Sequence, residues 1–198
     1  QKFKFLGMAM TLGLLLFILV CPSAVAQNLA KKQVLHIAFD AGDAKNLDPH
    51  RAASTVDRST VDPMFNGLVR YPPGNQVAVE PDIAESWQQS ADGKVWTFQL
   101  RKGVWFHPFP QQPEGYELTA DDVVFSLQRA ADPDRSSYAG EYTGVTFKAL
   151  DPYTVQITVT QPISAPLFLA KFANYAGGFI VSKKAIEMMG EDGFATHP

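Results

Sequence analysis

The residues of this 198-residue chain that first invite a chemical reading are four histidines, one cysteine and a pair of adjacent carboxylates. His36, His50, His107 and His197 stand singly, with no i,i+4 pair and no C-x-x-C beside them to hold a metal ion. The nucleophile and zincin patterns G-x-S-x-G and H-E-x-x-H are missing, and Cys21 lies in an apolar leader. Asp121 and Asp122 could be drawn as an acid–base pair, but adjacent helix residues point about 100° apart and do not converge. They fit better in the first turn of a helix, where the dipole favours negative charge. The sequence therefore assigns no catalytic residue, no metal ligand and no cofactor.

The elements around that acidic pair are the best defined in the chain. Trp96, Phe98 and Leu100 alternate with Val95, Thr97 and Gln99, the period of a half-buried strand. Asp92-Gly93 supplies the turn before it, since glycine reaches the positive φ that tight hairpins need. Gly103 and the prolines at 108, 110 and 113 break the pattern. Thr119 can then cap a helix whose Val123, Val124, Leu127 and Ala130 face a core. Trp87, Trp96 and Trp105 recur every nine residues, which reads as one buried aromatic per strand of a meander rather than as a ligand platform.

Elsewhere the pattern predicts a first strand over residues 34–39 and a loop over 40–51. Ser54 can cap a helix reaching toward Met64 and Leu68, with a break near Asp62 imposed by Pro63. A short strand is expected over 77–79, ended by Pro81, and a polar loop over 131–140. Residues 143–149 and 154–160 alternate around Asp151-Pro152 as a second hairpin. A short helix over 166–172 with proline in its first turn, a strand over 179–181 and a helix from Ser182 to Met189, closed by Gly190, complete the chain.

At the other end, Lys2 and Lys4 precede an apolar run from Phe5 to Val20, and Ala24-Val25-Ala26 offers small residues at the positions signal peptidase reads. That order describes a secretory signal peptide over 1–26, cleaved after Ala26, followed by a linker over 27–33. The run is shorter than the about 20 residues of a membrane span. Lipidation at Cys21 is the competing reading, against which Val20 stands as a bulky neighbour. The net charge of −3 and the lack of a basic run leave no electrostatic footprint for nucleic acid.

The ordered motifs A-E-S-W, D-G-K-V-W-T-F-Q-L-R-K-G-V-W-F-H and L-T-A-D-D-V-V-F-S-L-Q-R resemble the signature of the family 5 extracellular solute-binding proteins of ABC importers. F-N-G-L-V-R-Y at 65–71 and V-E-P-D-I-A-E-S-W at 79–87 extend the match, which covers roughly residues 34–198. One departure is the long, proline-rich stretch 107–118, where the family usually has a short H-D-G-x-P turn. The resemblance implies an α/β fold, a mixed sheet with flanking helices and a β-rich subdomain. It would form the N-terminal part of lobe I of a two-lobed, venus-flytrap receptor, and both ends of the sequence read as cut.

The same resemblance implies a monomeric periplasmic protein that captures short peptides for a membrane ABC permease. Nickel, haem or oligosaccharide carriage is the alternative within the family, and an exported hydrolase the alternative outside it. In peptide-binding relatives the segment after an L-D-P such as Leu47-Asp48-Pro49 runs beside the ligand, and a tyrosine after an A-D-P such as Ala131-Asp132-Pro133 packs on it. Carried over by position, these are Ala53, Ser54, Thr55 and Tyr138. Read without the resemblance, Ser54 is a helix cap and Tyr138 a surface loop residue.

Overall fold

The computed structural model describes Val34 and residues 46–198. The chain divides into units 1–39 and 40–198. The signal peptide with Ala24 and Ala26, Cys21, the linker and the expected strand over 34–39 lie outside the described residues, Val34 apart.

In the second unit a four-stranded antiparallel sheet holds the order β3-β4-β8-β7, built from β3 (Ala84–Gln89), β4 (Val95–Leu100), β7 (Val145–Asp151) and β8 (Thr154–Val159). Gly93 takes φ 72° in the turn between β3 and β4. Trp96, Phe98 and Leu100 are buried on one face of β4, opposite Ile157 and Val155 of β8, so the period-2 pattern sets both burial and register. Helix α2 (Ala120–Ala130) lays Val123, Leu127 and Ala130 into this core. Helix α3 (Ala165–Leu169) adds Phe168, whose ring stacks on Trp96 with centroids 4.3 Å apart.

Two small ladders flank the main sheet. In the first, β1 (Val69–Arg70) pairs with β2 (Glu80–Pro81). The strand expected over 77–79 therefore falls a few residues later and includes Pro81, tolerated because a two-stranded edge does not need its missing N–H. In the second, β5 (Trp105–Phe106) pairs with β6 (Tyr116–Glu117), which turns the proline-rich 107–118 stretch into a hairpin end. Trp105 is 59% exposed, against the expectation of a core aromatic. The turn at Gly103, φ 71°, breaks the phase that a nine-residue spacing would have to carry. Trp96 is buried and Trp87 half-buried, as core packing requires.

Helix α1 (Thr55–Val61) stops with Asp62 as its C-cap, before Pro63, and does not extend to Leu68. Helix α4 (Lys183–Thr196) starts at Ser182, whose Oγ accepts from Ala185 N–H at 3.0 Å. Gly190, φ 74° and ψ 170°, breaks it into two helical pieces, so the helical path resumes beyond the expected stop. Among the described residues, 179–181 join no ladder, with extended backbone at Phe179. Their polar groups go elsewhere: Val181 N–H donates to Ser126 Oγ, Ile180 N–H to Asn66 O, and Phe179 O accepts from Ser126 Oγ.

Candidate functional site

Of the acidic pair, Asp122 is buried and holds the start of α2. Its carboxylate accepts from Thr119 N–H and Tyr116 Oη–H, each at 3.0 Å, and so fastens the start of α2 to β6. Asp121 is exposed beside it and shares none of these bonds.

Around Leu47-Asp48-Pro49 the structure builds something that no local pattern announces. Asp48 caps a 3-10 turn (Pro49–Arg51) by accepting from His50 N–H, and is wholly buried. Arg129, in the last turn of α2, reaches it with both terminal nitrogens: Nη1 to Oδ1 at 3.0 Å and Nη2 to Oδ2. The same Nη2 donates to Glu191 Oε2 at 2.5 Å, and Arg51 and Arg135 add longer ion pairs to Glu191. Glu191 follows the break at Gly190, which aims the second piece of α4 at the cluster. A forked guanidinium suits two carboxylates that converge from different segments.

His50 completes this clamp. Its Nε2 lies 3.0 Å from Phe179 O, which can only accept, and its Nδ1 lies 2.9 Å from Arg129 Nη1, which can only donate. The ring must therefore be neutral, with its proton on Nε2. Burial, followed by the Arg129 charge, pulls its pKa down from 6.5 to about 4.

Ala53, Ser54 and Thr55 leave this clamp as an exposed segment with extended backbone at Ser54. Ser54 Oγ accepts from Asp57 N–H at 3.0 Å, so the cap expected from sequence is present. Tyr138 is no surface residue: it is 6% exposed, and its hydroxyl donates to Ala52 O at 2.5 Å. Ser137 N–H donates to His50 O at 2.9 Å. Those two bonds tie the loop after Ala131-Asp132-Pro133 to the segment after Leu47-Asp48-Pro49, bringing together all four residues singled out from the sequence. The Tyr138 ring meets Tyr175 edge-on at 5.2 Å, and a Cβ at Gly177 would lie 2.7 Å from its Cγ, so glycine is needed there for close approach. Burial raises the Tyr138 phenol's pKa, with the Arg58 charge opposing.

Beside Thr55 opens a depression of about 280 Å³, walled by α1 on one side and by Asn174, Tyr175 and Phe179 on the other. Its position next to an extended segment, with polar side chains on one wall and rings on the other, suits capture of a small polar ligand. Among the described residues no group of three or more His, Cys, Asp or Glu could hold a metal ion. Sequence reasoning missed the clamp because Asp48, Arg129 and Glu191 are far apart in the chain. The one hint was a charged residue, Arg129, among the apolar positions of a core helix.

Residues 78–195 match the family of bacterial extracellular solute-binding proteins, family 5 Middle. The chain belongs to that family, and its fold is that of the family's periplasmic binding proteins. It is 31% identical over 193 residues to di/tripeptide-binding protein 2 of Pseudomonas aeruginosa UCBPP-PA14, covering 86% of this chain and 36% of that protein. It is 34% identical over 178 residues to the dipeptide-binding protein of Escherichia coli K12, covering 83% and 32%. Among solved structures, MoaA from A. tumefaciens R10 in complex with mannopinic acid is 44% identical, with a TM-score of 0.66, over 76% of this chain and 30% of that one. Helicobacter pylori DppA in complex with the peptide STSA is 31% identical, with a TM-score of 0.68, over 77% and 32%. The chain thus spans about a third of the length of these relatives.

Proposed function

We propose that the complete protein is the periplasmic capture component of an ABC importer and binds a short peptide without altering it. The observation that carries this reading is the exposed 53–55 segment, held in place by the bonds from Ser137 and Tyr138 to His50 and Ala52. The backbone is extended at Ser54, just before α1, and the main-chain groups left open there can pair with part of a peptide's main chain, which gives affinity with little sequence preference. The remaining two-thirds of the receptor would supply the second lobe. Ligand would favour the closed state because only that state offers contacts from both lobes, and the closed form would dock on the membrane permease.

A second reading has its own support. The 44% identity to a protein solved with mannopinic acid favours a small carboxylate-bearing ligand that need not be a peptide. A thermal-shift and calorimetric titration of the complete, leader-free receptor against dialanine, trialanine, mannopinic acid, nickel and haem separates the two. At 100 times Kd a true ligand adds about 2.7 kcal/mol of stability. Stabilisation by the peptides supports peptide capture; stabilisation by mannopinic acid alone transfers the ligand to the second reading. Time-dependent cleavage of trialanine by the purified receptor would overturn capture altogether.

A further inference from the structure

The polar face of α1 carries a guanidinium, Arg58, that interacts with the Tyr138 phenol but meets no carboxylate in an ion pair among the described residues. Thr55, Arg58, Ser59 and Asp62 recur at helical spacing and all line the depression beside the 53–55 segment. None of the ion pairs among the described residues includes Arg58 or Asp62. The other charged group near this wall is already engaged: Glu141 accepts from Tyr175 Oη–H and pairs with Lys171. Asp57, which precedes Arg58, turns its carboxylate to Ser54 Oγ at 2.8 Å.

The chemistry of the lining is lopsided. Two hydroxyls and a guanidinium on α1 can donate, and across the depression Asn174 has its amide oxygen taken by Tyr71 N–H at 2.8 Å, which leaves its NH2 group to donate. Among the described residues Asp62 is the lining's one carboxylate and stands one helical turn beyond Arg58, where it repels an anion back toward the guanidinium. Partial burial raises the Asp62 pKa. Arg58 thus marks the end of the depression where negative charge is welcome.

We propose that Arg58 is a specificity residue of the capture site and binds a carboxylate of the ligand, with Thr55 and Ser59 donating beside it. This deepens the capture reading and rests on it. It makes the free acid, and not merely an extended main chain, part of what the receptor recognises. The peptide reading and the mannopinic acid reading share that feature, so the proposal is tested under either.

The test is isothermal titration of the complete receptor and its Arg58→Ala and Arg58→Lys variants with trialanine and trialanine C-terminal amide. Arg58→Ala should weaken trialanine about tenfold, about 1.4 kcal/mol, as expected for loss of a charge-assisted hydrogen bond. Amidation should cost the wild type a similar factor and cost Arg58→Ala almost nothing, while Arg58→Lys recovers part of the affinity. That coupling separates carboxylate binding from a general disturbance of Tyr138. Equal sensitivity to amidation in wild type and Arg58→Ala overturns the proposal and leaves capture standing. If mannopinic acid binds and trialanine does not, the same variants are titrated with mannopinic acid: a tenfold loss in Arg58→Ala supports the assignment, and a change under about twofold overturns it. If neither probe binds the wild-type receptor, the capture reading falls and this proposal falls with it.

Discussion

The two sides of helix α2 hold their neighbours by opposite means. Toward the sheet, Val123, Leu127 and Ala130 are buried among Phe147, Val155 and Ile157, and the attraction is area removed from water. Toward the 179–181 segment and the clamp, Ser126 and Arg129 hold backbone and carboxylates by hydrogen bonds in an equally buried setting. The first kind of contact tolerates change of shape. The second tolerates loss of a partner less well, because a buried charge such as Asp48 would lose its closest counter-charge.

The largest effect should therefore come from Arg129. In the complete receptor, Arg129→Met should lower stability by about 3–5 kcal/mol in urea denaturation, since it leaves buried Asp48 with only the longer Arg51 ion pair at 3.7 Å. Adding Asp48→Asn should restore part of the loss. Leu127→Ala should cost about 2–5 kcal/mol through its cavity, and Asp48→Asn should not rescue it. A loss below about 1 kcal/mol for Arg129→Met would mean that water reaches the clamp and the two sides of α2 do not differ as described.

His50 sharpens the contrast through pH. The unfolded imidazole takes its proton near 6.5 and the folded one only near about 4, so between these values the unfolded state binds more protons. Stability is then complete above pH 6.5 and falls as pH drops toward 4, by up to roughly 3 kcal/mol from this group. Asp48, Arg129 and Glu191 all face the ring and set the charge it would meet on protonation. Denaturation midpoints measured from pH 7.5 to 4.5 should fall less steeply in His50→Gln. An unchanged slope would place the titrating group elsewhere.

These two sides also differ in how far they could be read from the sequence. The apolar side was legible because its signal is local: alternation at Trp96, Phe98 and Leu100, helical spacing at Val123, Leu127 and Ala130, and turn chemistry at Asp92-Gly93. Caps at Ser54, Ser182 and the Thr119–Asp122 pair were legible for the same reason, since donor and acceptor lie within three residues. The clamp was not legible. Asp48 and Arg129 are separated by 81 positions, and nothing in either neighbourhood says that a loop aspartate will be buried. The 179–181 segment differs for a related reason: its apolar residues have the look of a strand, but its backbone partners among the described residues are the side chain of Ser126 and loop atoms. Family resemblance brought Ala53, Ser54, Thr55 and Tyr138 forward as a group, and it gave no hint of Arg58.

A smaller effect is expected where the clamp meets the site. Gly177→Ala would put a methyl 2.7 Å from the Tyr138 ring and 2.8 Å from its Cβ, so the tyrosine must shift away from Ala52 O. The expected cost is about 1–3 kcal/mol, the usual range for overpacking. Tyr138→Ala makes room for the methyl, so the double variant should be less destabilised than the sum of the single ones. Simple additivity in thermal melts would show that Tyr138 is not held between Gly177 and the 53–55 segment.

Ser54 gives the smallest and most discriminating change. Its hydroxyl already accepts from Asp57 N–H and donates to Asp57 Oδ2, so what the 53–55 segment offers a ligand is main chain. Ser54→Ala should cost about 1 kcal/mol of stability through the lost cap, and Ser54→Thr much less. Affinity for trialanine should stay within about twofold in Ser54→Thr, whose backbone and cap are both retained. Affinity that tracks the hydroxyl rather than the cap would mean that the ligand touches the Ser54 side chain. Main-chain pairing would then no longer account for capture at this segment, and the weight of recognition would pass to the charged face of α1.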